Sequence, residues 1–262
     1  MKINVQQRIP VMQNTINKIQ IFGERCSGTN YLEHLLLKNL EAIEITSQFG
    51  FKHCFHREIG EKTSDCLFVI IYRSPLDWLR AMHKIPHHAA FELRGIPFED
   101  FIRKEWWCQW DETSEVTPDN PLYGKEIMID RCPLTHKRFT NIIKLRRAKI
   151  CDYESLRDKA DNLIYITLEE LKIYPEDFIN IVSDKFKIKK SCNFTDIIKY
   201  QGKGDLYIPT FYDPITVADL DHIINEIDVQ LEKNIGYDIN QLVEHNILQF
   251  KMGFSSTKMY TP

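Results

Sequence analysis

Residues 66–72 read Cys-Leu-Phe-Val-Ile-Ile-Tyr, seven side chains in a row with no charge and no alternation of apolar with polar. A strand with one wet face alternates. A run without alternation calls for a strand covered on both faces, the habit of central strands in parallel sheets. It is far short of the roughly 20 residues that cross a bilayer as a helix. Residues 162–167, Asn-Leu-Ile-Tyr-Ile-Thr, repeat the pattern, and residues 19–22 supply a shorter run. Helical spacing lies between them. Tyr31, Leu32, Leu35, Leu36 and Leu40 recur every three to four residues, and the chain looks helical from Asp77 onward. Pro175 can open a helix through Phe186, since a first-turn proline gives up no needed hydrogen bond. A single helix is predicted over 216–235. Its stripe is Leu220, Ile223, Ile224, Ile227, Leu231 and Ile235, Thr216 and Asp219 form its capping box, and Gly236 lies past its end. Strands alternating with helices predict an α/β fold, a central, mostly parallel sheet flanked by helices. Residues 86–133, rich in Trp, His and Pro, break that rhythm and read as a helical or irregular insertion, a lid. No repeat or linker divides the 262 residues, so 1–262 reads as a single domain.

A net charge of −3 argues against a nucleic-acid partner, because such domains carry a basic excess. With 43% hydrophobic and 27% charged residues the composition is that of a globular protein. The seven cysteines are odd in number and scattered, without a Cys-x-x-Cys pair, which favours a reducing compartment over a disulfide framework. No secretory leader and no membrane anchor are visible, so the expected location is cytoplasmic.

Chemistry enters where the strands end. Behind the first lies Gly23-Glu24-Arg25-Cys26-Ser27-Gly28-Thr29, a strand–loop–helix that aims backbone N–H groups and the positive end of a helix dipole at one spot. Gly23 and Gly28 have the glycine spacing of a nucleotide-binding P-loop, but Thr29 and Asn30 stand where that motif places Lys and Ser/Thr. An ordinary NTPase thereby loses its phosphate lysine and its magnesium hydroxyl. Arg25, Ser27, Thr29 and Asn30 can still neutralise a phosphate without metal. Behind the second strand Arg73-Ser74-Pro75 puts a guanidinium, well shaped for phosphate, where open α/β sheets hold ligands.

Together the two loops resemble the paired signatures of sulfotransferases that use 3′-phosphoadenylyl sulfate (PAPS). Cys26-Ser27-Gly28-Thr29-Asn30-Tyr31-Leu32 is similar to that family's K-S-G-T-T-W-L, and Arg73-Ser74-Pro75 to its R-[NDS]-P element. Phe51-Lys52-His53 lies between them, where many members carry a Lys/His element. Tyr165-Ile166-Thr167-Leu168-Glu169-Glu170-Leu171 and Leu231-Glu232-Lys233-Asn234-Ile235-Gly236-Tyr237 resemble two later blocks. The resemblance implies a P-loop sulfotransferase fold and transfer of a sulfuryl group from PAPS, with no metal, to a hydroxyl or amine of a small-molecule or carbohydrate acceptor. It implies a cofactor site of Arg25, Cys26, Ser27, Gly28, Thr29, Asn30 and Arg73. Three positions depart from the pattern: Cys26 replaces the loop lysine, Ala81 replaces a serine, and Gln201-Gly202-Lys203-Gly204-Asp205 only approximates a basic glycine-rich loop. Arg25 or Lys52 is expected to take over the missing charge, and Arg80 and Lys203 are assigned to the 3′-phosphate.

His53 is the expected general base, Lys52 an electrostatic partner, Arg25 the cation at the leaving phosphate, and His56 the spare base. Cys26, at a helix start, is expected to have a lowered thiol pKa, so a cysteine nucleophile stays open. His83, His87 and His88 with Cys54 are not assigned to a metal, because Pro86 interrupts the helix that would align the first two. Trp106, Trp107 and Trp110 read either as lid packing or as a stacking surface for an acceptor. Two other functions remain: a kinase-like P-loop enzyme, and a non-catalytic nucleotide-binding protein on the same fold.

Overall fold

The computed structural model describes residues 4–7, 16–60, 63–199, 206–208 and 210–252. Their contacts divide into two compact units, one from Met1–Ser74 with Asp152–Ile208, the other from Pro75–Cys151 with Pro209–Pro262.

The first unit holds a five-stranded sheet. Its strands are β1 (Asn4–Gln7), β2 (Lys18–Phe22), β3 (Glu44–Thr46), β4 (Cys66–Tyr72) and β7 (Asn162–Thr167), in spatial order β1-β7-β4-β2-β3. All neighbours run parallel except β1, which lies antiparallel on β7. The expected run at 66–72 is central and buried at every residue, between Phe22 opposite Ile70 and Tyr72 opposite Thr167. Its two faces differ. Leu67, Val69 and Ile71 join Ile19, Ile21, Ile164 and Ile166 in an aliphatic core. That core is closed by Leu32, Leu35 and Leu36 of α1 (Thr29–Asn39), Leu171 of α5 (Leu168–Ile173) and Phe178, Val182 and Phe186 of α6 (Pro175–Phe186). The alternate residues make an aromatic face, with Phe22 stacked on Tyr153, Phe68 against Phe49 and Tyr72 on Tyr165. A period of two with both phases apolar is why no alternation shows in the sequence.

The second unit is built from short pieces. These are α2 (Pro75–Lys84), α3 (Phe98–Phe101), the paired strands β5 (Cys108–Gln109) and β6 (Glu126–Ile127), most of α4 (Ile142–Glu154), α7 (Val217–Glu226), α8 (Val229–Asn234) and α9 (Ile239–Lys251). Residues 86–133 are thus turns, a one-turn helix and a two-residue ladder, packed into this unit rather than into the sheet. Buried charge helps to order it. Arg146 Nε lies 2.6 Å from Glu232 Oε1, and Lys149 Nζ 3.0 Å from Asp130 Oδ1, all four side chains at most 2% exposed. Asp130 Oδ2 also accepts from the Trp106 indole at 2.9 Å, so Trp106 is core and not a stacking surface.

The single helix expected over 216–235 is corrected to two. Thr216 caps α7, its hydroxyl accepting from the Asp219 amide at 3.2 Å, as the capping box required. Ile227 then turns extended, and the Asp228 carboxylate accepts from the Leu231 amide at 3.0 Å to start α8. An aspartate that can cap a new helix wins over continuation of the stripe. Gly236, at φ 106, ends α8 as expected.

Candidate functional site

Adjacent strands β2 and β4 send their following connections in opposite directions, β2 to β3 on one side and β4 to β7 on the other. Ligands of open α/β sheets bind outside the carboxyl ends of strands at such a switch point. Here those ends carry residues 23–28 and Arg73, both in the first unit.

The loop's geometry demands its glycines. A Cβ on Gly23 would lie 2.7 Å from the Ile71 carbonyl oxygen. Gly28 has φ +94, and a Cβ there would come within 2.5 Å of Leu168 Cδ1. Cys26 is also left-handed, at φ 61. Left-handed residues in a tight turn bring successive amides to one side, the form of many anion cradles. Ser27 is fully buried and braces the turn, its hydroxyl donating to the Glu24 carbonyl at 2.6 Å. After Gly28, α1 starts with no side-chain cap and no acidic residue in its first turn. The Thr29 and Asn30 amides therefore open a helix whose first turn carries no acidic side chain and no side-chain cap.

Two further segments are stitched to this loop. Gln20, buried in β2, accepts from the Phe49 amide at 3.2 Å and donates to the Gly50 carbonyl at 3.1 Å, fixing the approach to Phe51-Lys52-His53. The Gly23 amide donates to the Lys52 carbonyl at 3.0 Å, and His53 Nδ1 lies 2.8 Å from the Gly23 carbonyl. A carbonyl only accepts, so Nδ1 carries the proton, and the neutral ring has its lone pair on Nε2. The Lys52 ammonium sits 2.6 Å from Asn30 Oδ1 and 2.8 Å from Glu33 Oε2. From β4, Arg73 Nη1 donates to the Cys26 carbonyl at 2.9 Å, tying the second loop to the first. The Ser74 amide donates to Glu169 Oε1 at 2.9 Å, which brings in the block after β7.

The site residues expected from sequence thus fall into three groups. Arg25, Cys26, Ser27, Gly28, Thr29, Asn30, Lys52, His53 and Arg73 come together in the first unit. Arg80 belongs to the second unit, where its guanidinium donates to Asp77 Oδ1 at 2.6 Å and to the Asp213 carbonyl at 3.1 Å and faces the Tyr212 ring. Lys203 lies outside the described residues. Arg25, expected as the cation at the leaving phosphate, is buried at 5% exposure next in sequence to Glu24, itself at 4%. The expectation for the Cys26 thiol is reversed. Burial pushes it up to about 11, outweighing the pull of Arg73 and Arg25, so it is a neutral thiol at physiological pH. His56 is held structurally. Its Nδ1 lies 2.8 Å from the Arg57 carbonyl, and its Nε2 3.0 Å from both Ser155 Oγ and Lys159 Nζ. Gln20, Glu33 and Glu169 shape the site, and the sequence assigned none of them a role. The signals present were a polar Gln within an apolar strand and, for Glu169, its place in the block after β7.

No protein-family model matches the chain, and no curated protein matches it.

Proposed function

We propose that the chain is a PAPS-dependent sulfotransferase. The observation that carries this reading is the junction of Arg73 with the Cys26 carbonyl at the uncapped start of α1, which joins two phosphate-type loops at the switch point of the sheet. The donor set suits the nucleotide: backbone amides of 26–30 and the Arg25 and Lys52 charges for the 5′-phosphosulfate, and the Arg73 fork for the 3′-phosphate. When bound, the nucleotide supplies an activated sulfuryl group. His53 Nε2 takes the proton of the acceptor hydroxyl, and the cations meet the charge that grows on the leaving phosphate. A kinase-like reading is weaker, because Thr29 and Asn30 fill the phosphate-lysine and magnesium positions and Asn30 Oδ1 is occupied by Lys52.

The test is transfer of radiolabelled sulfuryl from PAPS to a panel of hydroxyl and amine acceptors. Turnover is expected to fall about 10²–10⁴-fold in H53A, the usual share of a general base. Nucleotide affinity should hold. A wild-type protein that binds PAPS and transfers nothing would leave a binding protein on this fold.

A further inference from the structure

Lys52 is a cation at the start of α1 that comes from outside the first loop, and its charge is already engaged. Asn30 and Glu33 stand three residues apart on α1, on one face of the helix. The ammonium bridges them, 2.6 Å from the amide oxygen and 2.8 Å from the carboxylate, with Lys52 and Glu33 side chains 21% and 28% exposed. Glu33 lies just past a first turn free of acidic residues, on the helix whose positive end the loop presents. Arg73, Arg25 and Glu24 act electrostatically on Cys26 of the loop, Lys52 pairs with Glu33 beside it, and the Glu169 carboxylate accepts from the Ser74 amide next to Arg73. An anion entering this site therefore meets positive charge that carboxylates already partly offset. One carboxylate, Glu24, is buried at 4% exposure beside the guanidiniums, whereas Glu33 pairs with the lysine at a partly exposed position.

We infer that Glu33 is an internal counter-ion that holds Lys52 in place and masks its charge until an anionic ligand draws the ammonium away. Glu33 is thus a positioning residue for the loop's affinity and selectivity, acting through Lys52. Attraction between ligand and ammonium competes with the existing pair, so affinity reports their difference. The backbone bond from the Gly23 amide to the Lys52 carbonyl and the His53 imidazole on the Gly23 carbonyl anchor the lysine's main chain, and only the side chain has to turn. The inference rests on the anion-binding part of the functional reading, not on the identity of the nucleotide.

The experiment is a calorimetric titration of inorganic pyrophosphate, and separately of adenosine 3′,5′-bisphosphate, into wild type, E33Q, E33D, K52A and the E33Q/K52A pair. The E33Q change keeps the side chain's shape and an acceptor oxygen but removes its charge. E33Q is expected to bind about three- to tenfold more tightly than wild type, with a steeper loss in added salt. E33D, which keeps the charge, should stay near wild type. In the K52A background the E33Q gain should vanish. A gain for pyrophosphate with no binding of the bisphosphate by any variant supports the masking role and sinks the sulfotransferase reading. Equal gain with and without Lys52 overturns the role, since Glu33 would then act only by repelling the ligand directly. No gain in E33Q, or no binding of either ligand to any variant, overturns it as well.

Discussion

Gly28 concentrates the site's constraints in one residue. Its φ of +94 disfavours any L side chain, and the missing Cβ leaves room for Leu168. G28A is expected to cost about 2 kcal/mol or more, from the left-handed backbone and the displaced leucine together. A urea titration should show a lower midpoint at unchanged slope, and an unchanged midpoint would mean that the turn relaxes without penalty. The glycine spacing, the arginine after a buried strand and the Lys-His pair were all legible in the sequence, because each is a local pattern with a local cause. The direction of the Cys26 shift was not. Helix-end electrostatics are visible in a sequence, but the burial that overrides them belongs to the folded chain. The roles of Gln20, Glu33 and Glu169 were hidden for the same reason. Their partners lie 29, 19 and 95 residues away.

At the scale of elements, β4, β7 and α6 end where the residue pattern said they would, since abrupt changes from apolar runs to Arg-Ser-Pro, Glu-Glu or Pro fix their ends. The stripe over 216–235 misled because periodicity continues across Asp228 while the backbone does not. That break is testable. D228A should lose about 1 kcal/mol by removing the α8 cap. D228N, which keeps an acceptor, should lose far less, even though it also gives up the exposed pair with Arg147. Equal losses in the two, read from denaturation midpoints, would assign the effect to the ion pair instead of the cap.

At the scale of the whole molecule, the chain assigns its sheet and its phosphate-type loops to one unit and its irregular middle to the other. The core of the parallel sheet was legible because β2, β4 and β7 are apolar runs, whereas the polar edge strands β1 and β3 carry no such signal. The second unit was legible only in part, at α2 and α7, because ion pairs such as Arg146–Glu232 leave no periodicity in a sequence. Its electrostatics give a pH prediction. Burial alone would raise the Glu126 carboxyl, but hydrogen bonds from Arg131 and Arg138 outweigh it and bring the group down from 4.5 to about 2. A depressed folded value means stability that is present above pH 4.5 and lost as pH falls toward 2. E126Q should therefore melt lower than wild type at pH 7, with the gap narrowing below pH 4.5. A gap that stays constant down to pH 3 would show that the charge is not what matters. The central claim, a metal-independent site for a 3′-phosphorylated adenine nucleotide at the junction of the two loops, is tested most directly by melting curves in EDTA. Adenosine 3′,5′-bisphosphate at one hundred times its dissociation constant should stabilise wild type by about 2.7 kcal/mol. R73A should need a far higher concentration for the same shift. No shift at millimolar bisphosphate, beside a clear shift with magnesium ATP, would contradict the account.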